Sequence, residues 1–311
     1  MKTFIALFTL GTLLTAPTFL EAKITRNVEK TFTVQSGGLL KVQTSGGDIT
    51  VLNGASNSEV KVTAKERIDA NSEAKADELL KDLTLTIEQQ GNNITAVAKY
   101  EKGGWHWGNT PVSVSFTVVL PRNFNVDLNT SGGNIDLASI AGKARLRTSG
   151  GNLKLDRVEG EVDGKTSGGN ISLHEGTAAV KLSTSGGDID VDRAGGEADL
   201  STSGGNIEIK SVQGRVTATT SGGNVKAGIE GALKGDCDLS TSGGTVVVTV
   251  DKGVAFDLKA HTSGGTVDVD GLTISLEQGG LRKSSLSGKV NGGGPQLSLG
   301  SSGGDIRIHA K

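Results

Sequence analysis

The sequence of 311 residues contains one cysteine, four prolines and few aromatic residues, which make up 3% of the chain. Because Cys237 has no second cysteine to pair with, an internal disulfide and a metal site built from several thiolates are both excluded. The scarcity of aromatic rings predicts a thin, aliphatic interior. Neither sign of charge dominates, since 32 basic and 34 acidic residues are interspersed, and the basic footprint of a nucleic-acid-binding protein is missing.

Long hydrophobic runs are also missing beyond the N-terminal segment. No later run approaches the roughly 18 apolar residues that span a bilayer, so no transmembrane segment is predicted in the mature chain. The start differs, because Met1 and Lys2 precede an apolar stretch from Phe4 to Leu14, which is typical of a secretory signal peptide. We interpret residues 1–22 as a signal peptide and expect a secreted, periplasmic or cell-surface protein.

Glycine, by contrast, is abundant, with 47 residues, and it recurs in a fixed string. The first full copy is Thr130-Ser131-Gly132-Gly133-Asn134-Ile135. A fixed period below about 30 residues is the signature of a solenoid, in which each repeat buries its apolar face only by stacking on its neighbours. Copies follow 18 residues apart from Thr148 to Thr220 and then 21 residues apart at Thr241 and Thr262; further copies begin at Thr44 and Ser301.

Apolar residues alternate on both sides of each copy. Ile171 and Leu173 follow one copy, and Val180 and Leu182 precede the next, so each repeat predicts two β-strands. A glycine such as Gly160 lies between the two strands and indicates the opposite corner. The pattern therefore predicts an all-β protein, a β-solenoid with rungs of about 18 residues and two strands each.

The paired glycines are predicted to form the corner of every rung, because a tight bend favours positive φ, which glycine adopts without a Cβ clash. The Asn or Asp that follows tolerates the same conformation, and stacked Asn side chains are expected to hydrogen-bond along the column. The predicted structural corner ladder comprises Gly132, Gly133, Asn134, Gly150, Gly151, Asn152, Gly168, Gly169, Asn170, Gly186, Gly187, Asp188, Gly204, Gly205 and Asn206.

The N-terminal part is less regular. Residues 24–63 resemble the opening of the same stack, whereas Asn71 to Asp82 predicts a helix with Asn71 or Ser72 as its N-cap. Two longer alternating runs follow this helix, and we interpret residues 64–125 as an inserted strand-helix-strand cap that covers an open end. Residues 23–311 then form a single domain, with residues 126–311 as the main repeat stack.

This order of a first rung, an inserted cap, a strand ending in Leu120-Pro121 and a run of Thr-Ser-Gly-Gly-Asn/Asp-Ile rungs resembles a bacterial "putative adhesin" family, a β-strand-repeat domain of unknown function. It is more distantly similar to autotransporter adhesin head domains. The resemblance covers nearly all of the mature chain. It implies a right-handed β-solenoid at the cell envelope and supplies no catalytic residues.

Other chemistry finds little support in the residues. The polar column from Asp48 to Asp305 carries mostly Asn and Thr, whereas calcium favours a denser set of carboxylates. Asp136, Asp190 and Glu208 share an outward column that Lys154, Ser172 and Lys226 interrupt, as on an ordinary solvated face. The four histidines do not gather, and the Thr column points inward, unlike an ice-binding face. No catalytic residue, metal or cofactor is predicted.

One surface segment stands out. Gly103-Gly104-Trp105-His106-Trp107-Gly108 holds both tryptophans of the chain between glycines. These side chains either stack on a sugar or dock a partner, or else they plug the end of the stack as part of the cap. The sequence thus predicts a non-enzymatic structural or adhesion-type binding protein of the cell envelope, with a protein or glycan partner. The alternative is a carbohydrate-binding module that uses Trp105, His106 and Trp107.

Overall fold

The computed structural model describes residues 23–101 and 111–311, which form two long β-sheets on either side of one apolar core. Strands are numbered in chain order. Sheet A has 13 strands, in the spatial order β1 (Lys23–Thr33), β4 (Glu59–Asp69), β7 (Val112–Leu120), β3 (Ile49–Asn53), β9 (Ile135–Leu137), β11 (Leu153–Val158), β13 (Ile171–Gly176), β15 (Ile189–Ala194), β17 (Ile207–Val212), β19 (Val225–Ile229), β21 (Val246–Val250), β27 (Ile306–Ala310) and β23 (Val267–Asp270).

Sheet B has 14 strands. Their order is β24 (Ile274–Arg282), β25 (Ser285–Val290), β22 (Phe256–Thr262), β26 (Gln296–Ser301), β20 (Cys237–Thr241), β18 (Val216–Thr220), β16 (Ala198–Ser201), β14 (Val180–Ser183), β12 (Val162–Lys165), β10 (Ala144–Arg147), β8 (Asn125–Thr130), β2 (Leu39–Thr44), β6 (Asn93–Tyr100) and β5 (Leu83–Gln90). One helix, α1 (Glu73–Leu80), lies between β4 and β5 in the described chain.

The central rungs place each residue beside its equivalent in the next repeat. In sheet A, Ile171 lies between Leu153 and Ile189, and in sheet B Val180 lies between Val162 and Ala198. All of these pairings are parallel, so one turn of the chain equals one repeat. The predicted all-β solenoid with two strands per rung is confirmed.

The core is a pair of facing aliphatic columns. Leu146, Leu182 and Leu200 are fully buried, as are Ile135, Ile171 and Ile189 on the other sheet. Because side chains alternate across a strand, every second residue of each rung enters this core. The largest buried rings, Phe116, Phe124 and Phe256, lie toward the two ends of the stack, where strands other than the regular repeats contribute.

The Ser-Gly-Gly corners bend without positive φ, which corrects the expectation from sequence. Glycines with positive φ are found elsewhere, for example at Gly37 and Gly292. The second glycine of each corner is needed for space, because a Cβ on Gly169 would lie 2.0 Å from the carbonyl oxygen of Gly151 in the preceding rung. The first glycine is roomier, since a Cβ on Gly168 would meet no atom closer than 3.7 Å.

The buried threonines bond the corners of successive rungs together. The Oγ1 of Thr166 donates to the carbonyl oxygen of Gly151 at 2.8 Å and accepts the N–H of Gly169 at 3.3 Å. The same two bonds recur from Thr130 to Thr241. Each hydroxyl therefore satisfies a buried carbonyl of one rung and a buried amide of the next.

The N-terminal end departs from the repeat. Leu39–Asn53 enters the stack as β2 and β3, but β1 and β4 pair antiparallel with each other, and β4 pairs antiparallel with β7. The expectation that residues 24–63 open the stack is therefore wrong for the two strands on either side of β2 and β3, which are β1 and β4. These flanks lack the Ser-Gly-Gly corner, so each continues as one long strand instead of folding into a rung.

Helix α1 begins where the sequence predicts. Ser72 is its N-cap and accepts the N–H of Lys75, Ala76 is buried, and Leu79 and Leu80 pack against the core. Arg26 of β1 bonds Glu73 at 2.5 Å and Asp77 at 2.7 Å, which fixes the helix to the edge of sheet A.

The edge strands of the two sheets are joined at this end. Lys30 of β1 donates to the carbonyl of Ile87 in β5, and Gln89 of β5 donates to the carbonyl of Thr33.

Both terminal rungs are inserted between others. The rung of β2 and β3 lies between β6/β7 and β8/β9, and the rung of β26 and β27 lies between β20/β21 and β22/β23. The repeat order alone suggests that the copy at Ser301 forms the outermost rung, but the structure places it inside the stack. The β24–β25 hairpin completes this end instead, with the carbonyl of Lys283 accepting the N–H of Val267 across to sheet A.

The register makes a direct prediction for neighbouring residues of β13. Ile171→Asp places a charge in the core and should lower the free energy of unfolding by about 3 kcal/mol or more. Ser172→Asp on the exposed face should change it by less than about 0.5 kcal/mol. Chemical denaturation of both variants measures the difference, and equal losses would contradict the assigned register.

The corner predicts a second contrast between adjacent glycines. Gly169→Ala should cost about 1 to 3 kcal/mol, because its Cβ overlaps the carbonyl of Gly151 and the two rungs must separate. Gly168→Ala makes ordinary contacts and serves as the matched control. Thermal unfolding of the two variants provides the measurement. A Gly168→Ala loss as large as that of Gly169→Ala would show that conformational freedom, and not space, selects glycine.

Candidate binding face

The polar residue after each glycine pair bonds backbone. The Oδ1 of Asn134 accepts the N–H of Asn152 at 2.8 Å, and the Oδ1 of Asn152 accepts the N–H of Asn170 at 2.8 Å. Among the described residues, the expected bonding between side chains of this column is found where Asn206 donates to Asp188 at 3.1 Å and where Thr266 donates to Asp305 at 3.3 Å. Along one edge of the stack the structure places Gly132, Gly133, Asn134, Gly150, Gly151, Asn152, Gly168, Gly169, Asn170, Gly186, Gly187, Asp188, Gly204, Gly205 and Asn206.

This bonding uses the oxygens that a cation at the corner would need. One Oδ1 of each rung is already directed at an amide of the next, as in the pair of Asp188 and Asn206 at 2.7 Å. Among residues 23–101 and 111–311, no three His, Cys, Asp or Glu side chains lie together in a way that holds a metal ion.

Charged side chains on the outer faces pair from one rung to the next. Lys181 bonds Asp199 at 2.9 Å on sheet B, and Lys226 bonds Glu208 at 2.9 Å on sheet A. Lys143 and Glu161 form the same kind of pair near the opposite corner. Each pair is exposed and screened by solvent, so these contacts set strand register more than they add stability.

A shallow groove interrupts this regular surface on sheet A. It has a volume of about 850 Å³ and crosses β3, β9, β11, β13 and β15. Leu52 lies in it and is 44% exposed, which is unusual for a large apolar side chain in a strand of this protein. The lining residues are Thr50, Val51, Leu52, Asp136, Leu137, Ala138, Lys154, Leu155, Asp156, Ser172, His174 and Asp192.

His174 and Asp192 form one end of the groove. The Nδ1 of His174 lies 2.9 Å from one oxygen of Asp192, and Lys210 bonds the other oxygen at 2.6 Å. The bond to Lys210, reinforced by the one to His174, holds the pKa of Asp192 below its ordinary value. Next to it, burial and then the charges of Asp188 and Glu208 raise the pKa of Asp190.

The middle of the groove carries Asp136 and Asp156, and Lys154 is the register neighbour of Asp136. Within the described chain, no cationic side chain forms an ion pair with Asp136 or Asp156, although Ser139 donates to Asp156 at 2.5 Å. With Asp192 committed to His174 and Lys210, these two carboxylates remain open to a ligand. An exposed leucine beside free carboxylates matches a partner with apolar and cationic groups.

Sequence reasoning did not single out this groove. It assigned Asp136, Lys154 and Ser172 to an ordinary solvated column, and the register confirms that they share one column. The missed residue is Leu52, which belongs to an outward position of β3. The sequence did contain a signal for it. Ile49 and Val51 point inward, so the next residue, Leu52, must point outward although it is apolar.

The remaining singled-out residues lie apart. Cys237 is buried in the core, and burial raises the pKa of its thiol. His261 lies on sheet B and His309 on sheet A, several rungs from His174. Trp105, His106 and Trp107 lie outside the described residues. The strands that flank them end at Tyr100 on sheet B and begin at Val112 on sheet A, at the edge that carries the Ser-Gly-Gly corners.

Solved structures from species of Bacteroides, Parabacteroides and Clostridium match the chain at low identity. A "putative adhesin" of Bacteroides fragilis is 9% identical, with 91% of this chain and 97% of that chain covered and a TM-score of 0.38. A "putative adhesin" of Parabacteroides merdae is 12% identical, with 91% and 96% covered and a TM-score of 0.33. A "putative lipid binding protein" of Parabacteroides distasonis is 16% identical, with 92% and 96% covered and a TM-score of 0.42.

Likenesses this low carry no information on what the chain binds. No protein with a curated description matches the sequence. In the part of the chain that the structure describes, no helix has the length and apolar character to cross a membrane.

One family model matches residues 40–309, from β2 of the first inserted rung to β27, the last strand along the chain. The match spans β4 and β7 of the antiparallel flank, the repeat stack and the C-terminal hairpin, and β1 lies before it. The chain therefore belongs to the Toastrack DUF4097 family.

Proposed function

We propose that this protein is an exported, non-catalytic binding protein of the cell envelope or the exterior, and that it contacts its partner through the outer face of sheet A. The observation that supports this most is the groove, where the exposed side chain of Leu52 lies in one surface with Asp136 and Asp156, two carboxylates that form no ion pair within the described residues. Export is supported by the charged start and apolar stretch of residues 1–22.

The architecture suits a binding surface better than a pocket for chemistry. Strands about 4.8 Å apart make the 13 strands of sheet A a face about 60 Å long. Its rungs are held rigidly by the Thr166-type bonds and by the packed core, so side chains on the face keep fixed spacings. A preorganised face lowers the entropy lost on binding, which favours contact with an extended partner.

Two matched charge reversals test this proposal. Asp156→Lys should lower the affinity for a captured partner about tenfold, a loss of ~1.4 kcal/mol, because the open carboxylate at the centre of the groove is replaced by a cation. Asp238→Lys makes the same change on the outer face of sheet B, where Asp238 of β20 is exposed and lies between the uncharged Thr217 and Ser298 in register. Affinity is measured on proteins pulled down from envelope extracts by the immobilised mature chain.

An equal loss in both variants would refute the groove as the binding surface. Failure of the wild-type chain to retain any envelope protein or glycan would refute the binding function itself. Matching melting temperatures of the two variants establish that a loss of affinity is local.

The carbohydrate-binding alternative depends on the tryptophan segment. Both tryptophans of an aromatic-poor chain lie in Gly103–Gly108, and an indole ring supplies the flat apolar surface on which a sugar stacks. On a glycan array, Trp105→Ala combined with Trp107→Ala should abolish sugar binding while the melting temperature stays unchanged. A lower melting temperature with no glycan bound by the wild type would instead favour a role in the cap.

A further inference from the structure

The C-terminal rung occupies a slot that the rest of the chain forms without it. On sheet B, Leu297 of β26 lies beside Cys237 of β20 on one side and Leu258 of β22 on the other. On sheet A, Ile306 of β27 lies between Val246 of β21 and Val267 of β23. The chain thus passes the slot, builds the next rung and the β24–β25 hairpin, and only then returns to fill it.

The contacts of this rung equal those of an interior rung. Its apolar side chains Leu297, Leu299, Ile306 and Ile308 are at most 3% exposed.

Its corner bonds both neighbours as well. Ser301 donates to the carbonyl of Gly244 at 2.8 Å, and Thr262 of the next rung donates to the carbonyl of Gly304 at 2.7 Å. An empty slot would leave the backbone edges of four strands unpaired, which is the arrangement that recruits a free strand.

A short glycine segment connects the rung to the rest. Between Val290 and Gln296 the chain reads Asn-Gly-Gly-Gly-Pro. Asn291 has φ of 49°, the only positive φ at a non-glycine among the described residues, and Gly292 and Gly293 follow at 95° and 87°. The return into the slot thus requires three consecutive left-handed residues, and a left-handed Asn is a mildly strained conformation.

We propose that this slot also accepts the C-terminal rung of a second copy of the chain, so that two copies exchange residues 296–310 and form a dimer. The incoming rung has the same sequence and makes the same contacts as the chain's own rung. The two arrangements differ only in the conformation of the connecting segment, and the dimer alone depends on protein concentration. A short linker holds the chain's own rung at an effective concentration of about 1 mM near the slot. The fraction of exchanged dimer therefore increases as the protein concentration approaches that value.

Folding order favours the exchange. The slot exists only once β20 to β25 have folded, and it stays empty until the last segment of the chain arrives. Contacts between residues far apart in sequence form late, so this interval is long. During that interval the backbone edges of β21 and β23 are open to any matching rung. The exchanged form also frees Asn291 from its left-handed conformation, because the connecting segment then extends between copies instead of turning back. This inference concerns assembly and holds whether or not the groove on sheet A binds a partner.

The lone cysteine makes the exchange visible. Leu297 is the register neighbour of Cys237, and Cα atoms about 4.8 Å apart on parallel strands lie within the range that a disulfide bridges. The full chain carrying Leu297→Cys is refolded over a range of concentrations and then oxidised. The expected result is an internal disulfide at micromolar concentration and a disulfide-linked dimer whose fraction grows toward about 1 mM on a non-reducing gel.

Leu299→Cys is the matched control, because its register neighbour is Leu239 and no disulfide should form in either arrangement. A dimer that appears equally in both variants would reveal random oxidation and overturn the inference. A Leu297→Cys disulfide that stays internal at every concentration would overturn it as well.

A second pair of variants needs no cysteine. Gly292→Pro forbids the positive φ at the return, so it should shift the protein toward the dimer, measured by light scattering after size-exclusion chromatography. Gly91→Pro imposes the same restriction on the turn between β5 and β6, far from the slot, and should leave the distribution unchanged. A purely monomeric Gly292→Pro protein, destabilised or not, would show that the slot accepts its rung only from its own chain.

Discussion

The structure depends on how closely the backbone of one corner approaches the next. The carbonyl of Gly151 occupies the volume where a Cβ of Gly169 would lie, and the same contact recurs at each corner of the central stack. Only glycine permits this approach, and the hydroxyl of Thr166 then bonds across it. Rung spacing at the corner is therefore fixed by van der Waals contact, and the strands on either side inherit that spacing. The aligned core columns follow from it.

Charge provides a second, weaker level of order. Along one outward column of sheet B, Lys41, Asp127, Arg145, Asp163, Lys181 and Asp199 alternate in sign from rung to rung. A slip of one rung would place like charges side by side on neighbouring strands, which is unfavourable. The repeats are so similar that the core alone barely distinguishes one register from another, and the alternating charges supply that distinction. In the groove on sheet A, Asp136 and Asp156 form no such ion pair within the described residues.

The repeat unit was predictable from the sequence because its causes are local. Period-two alternation around Ile171 and Val180, glycine pairs at fixed spacing and a capping serine at Ser72 each act within a few residues. The reason for the glycines was not predictable, since a clash with a preceding rung depends on a neighbour 18 residues away whose distance the sequence does not state. The strand order at both ends was likewise hidden. Because the rungs have nearly the same sequence pattern, the alternation of apolar residues does not reveal which rungs are neighbours in space.

The inserted terminal rungs have a mechanical consequence. In a stack whose last rung is outermost, tension on the end of the chain peels bonds off one at a time along a single edge. Here Lys311 follows β27, which is clamped by β21 on one side and β23 on the other, so a pull at this residue loads two ladders of bonds together in shear. β2 and β3 are clamped in the same way near the start of the chain. A protein that carries load between two anchored points would gain resistance to rupture from this arrangement without any covalent crosslink.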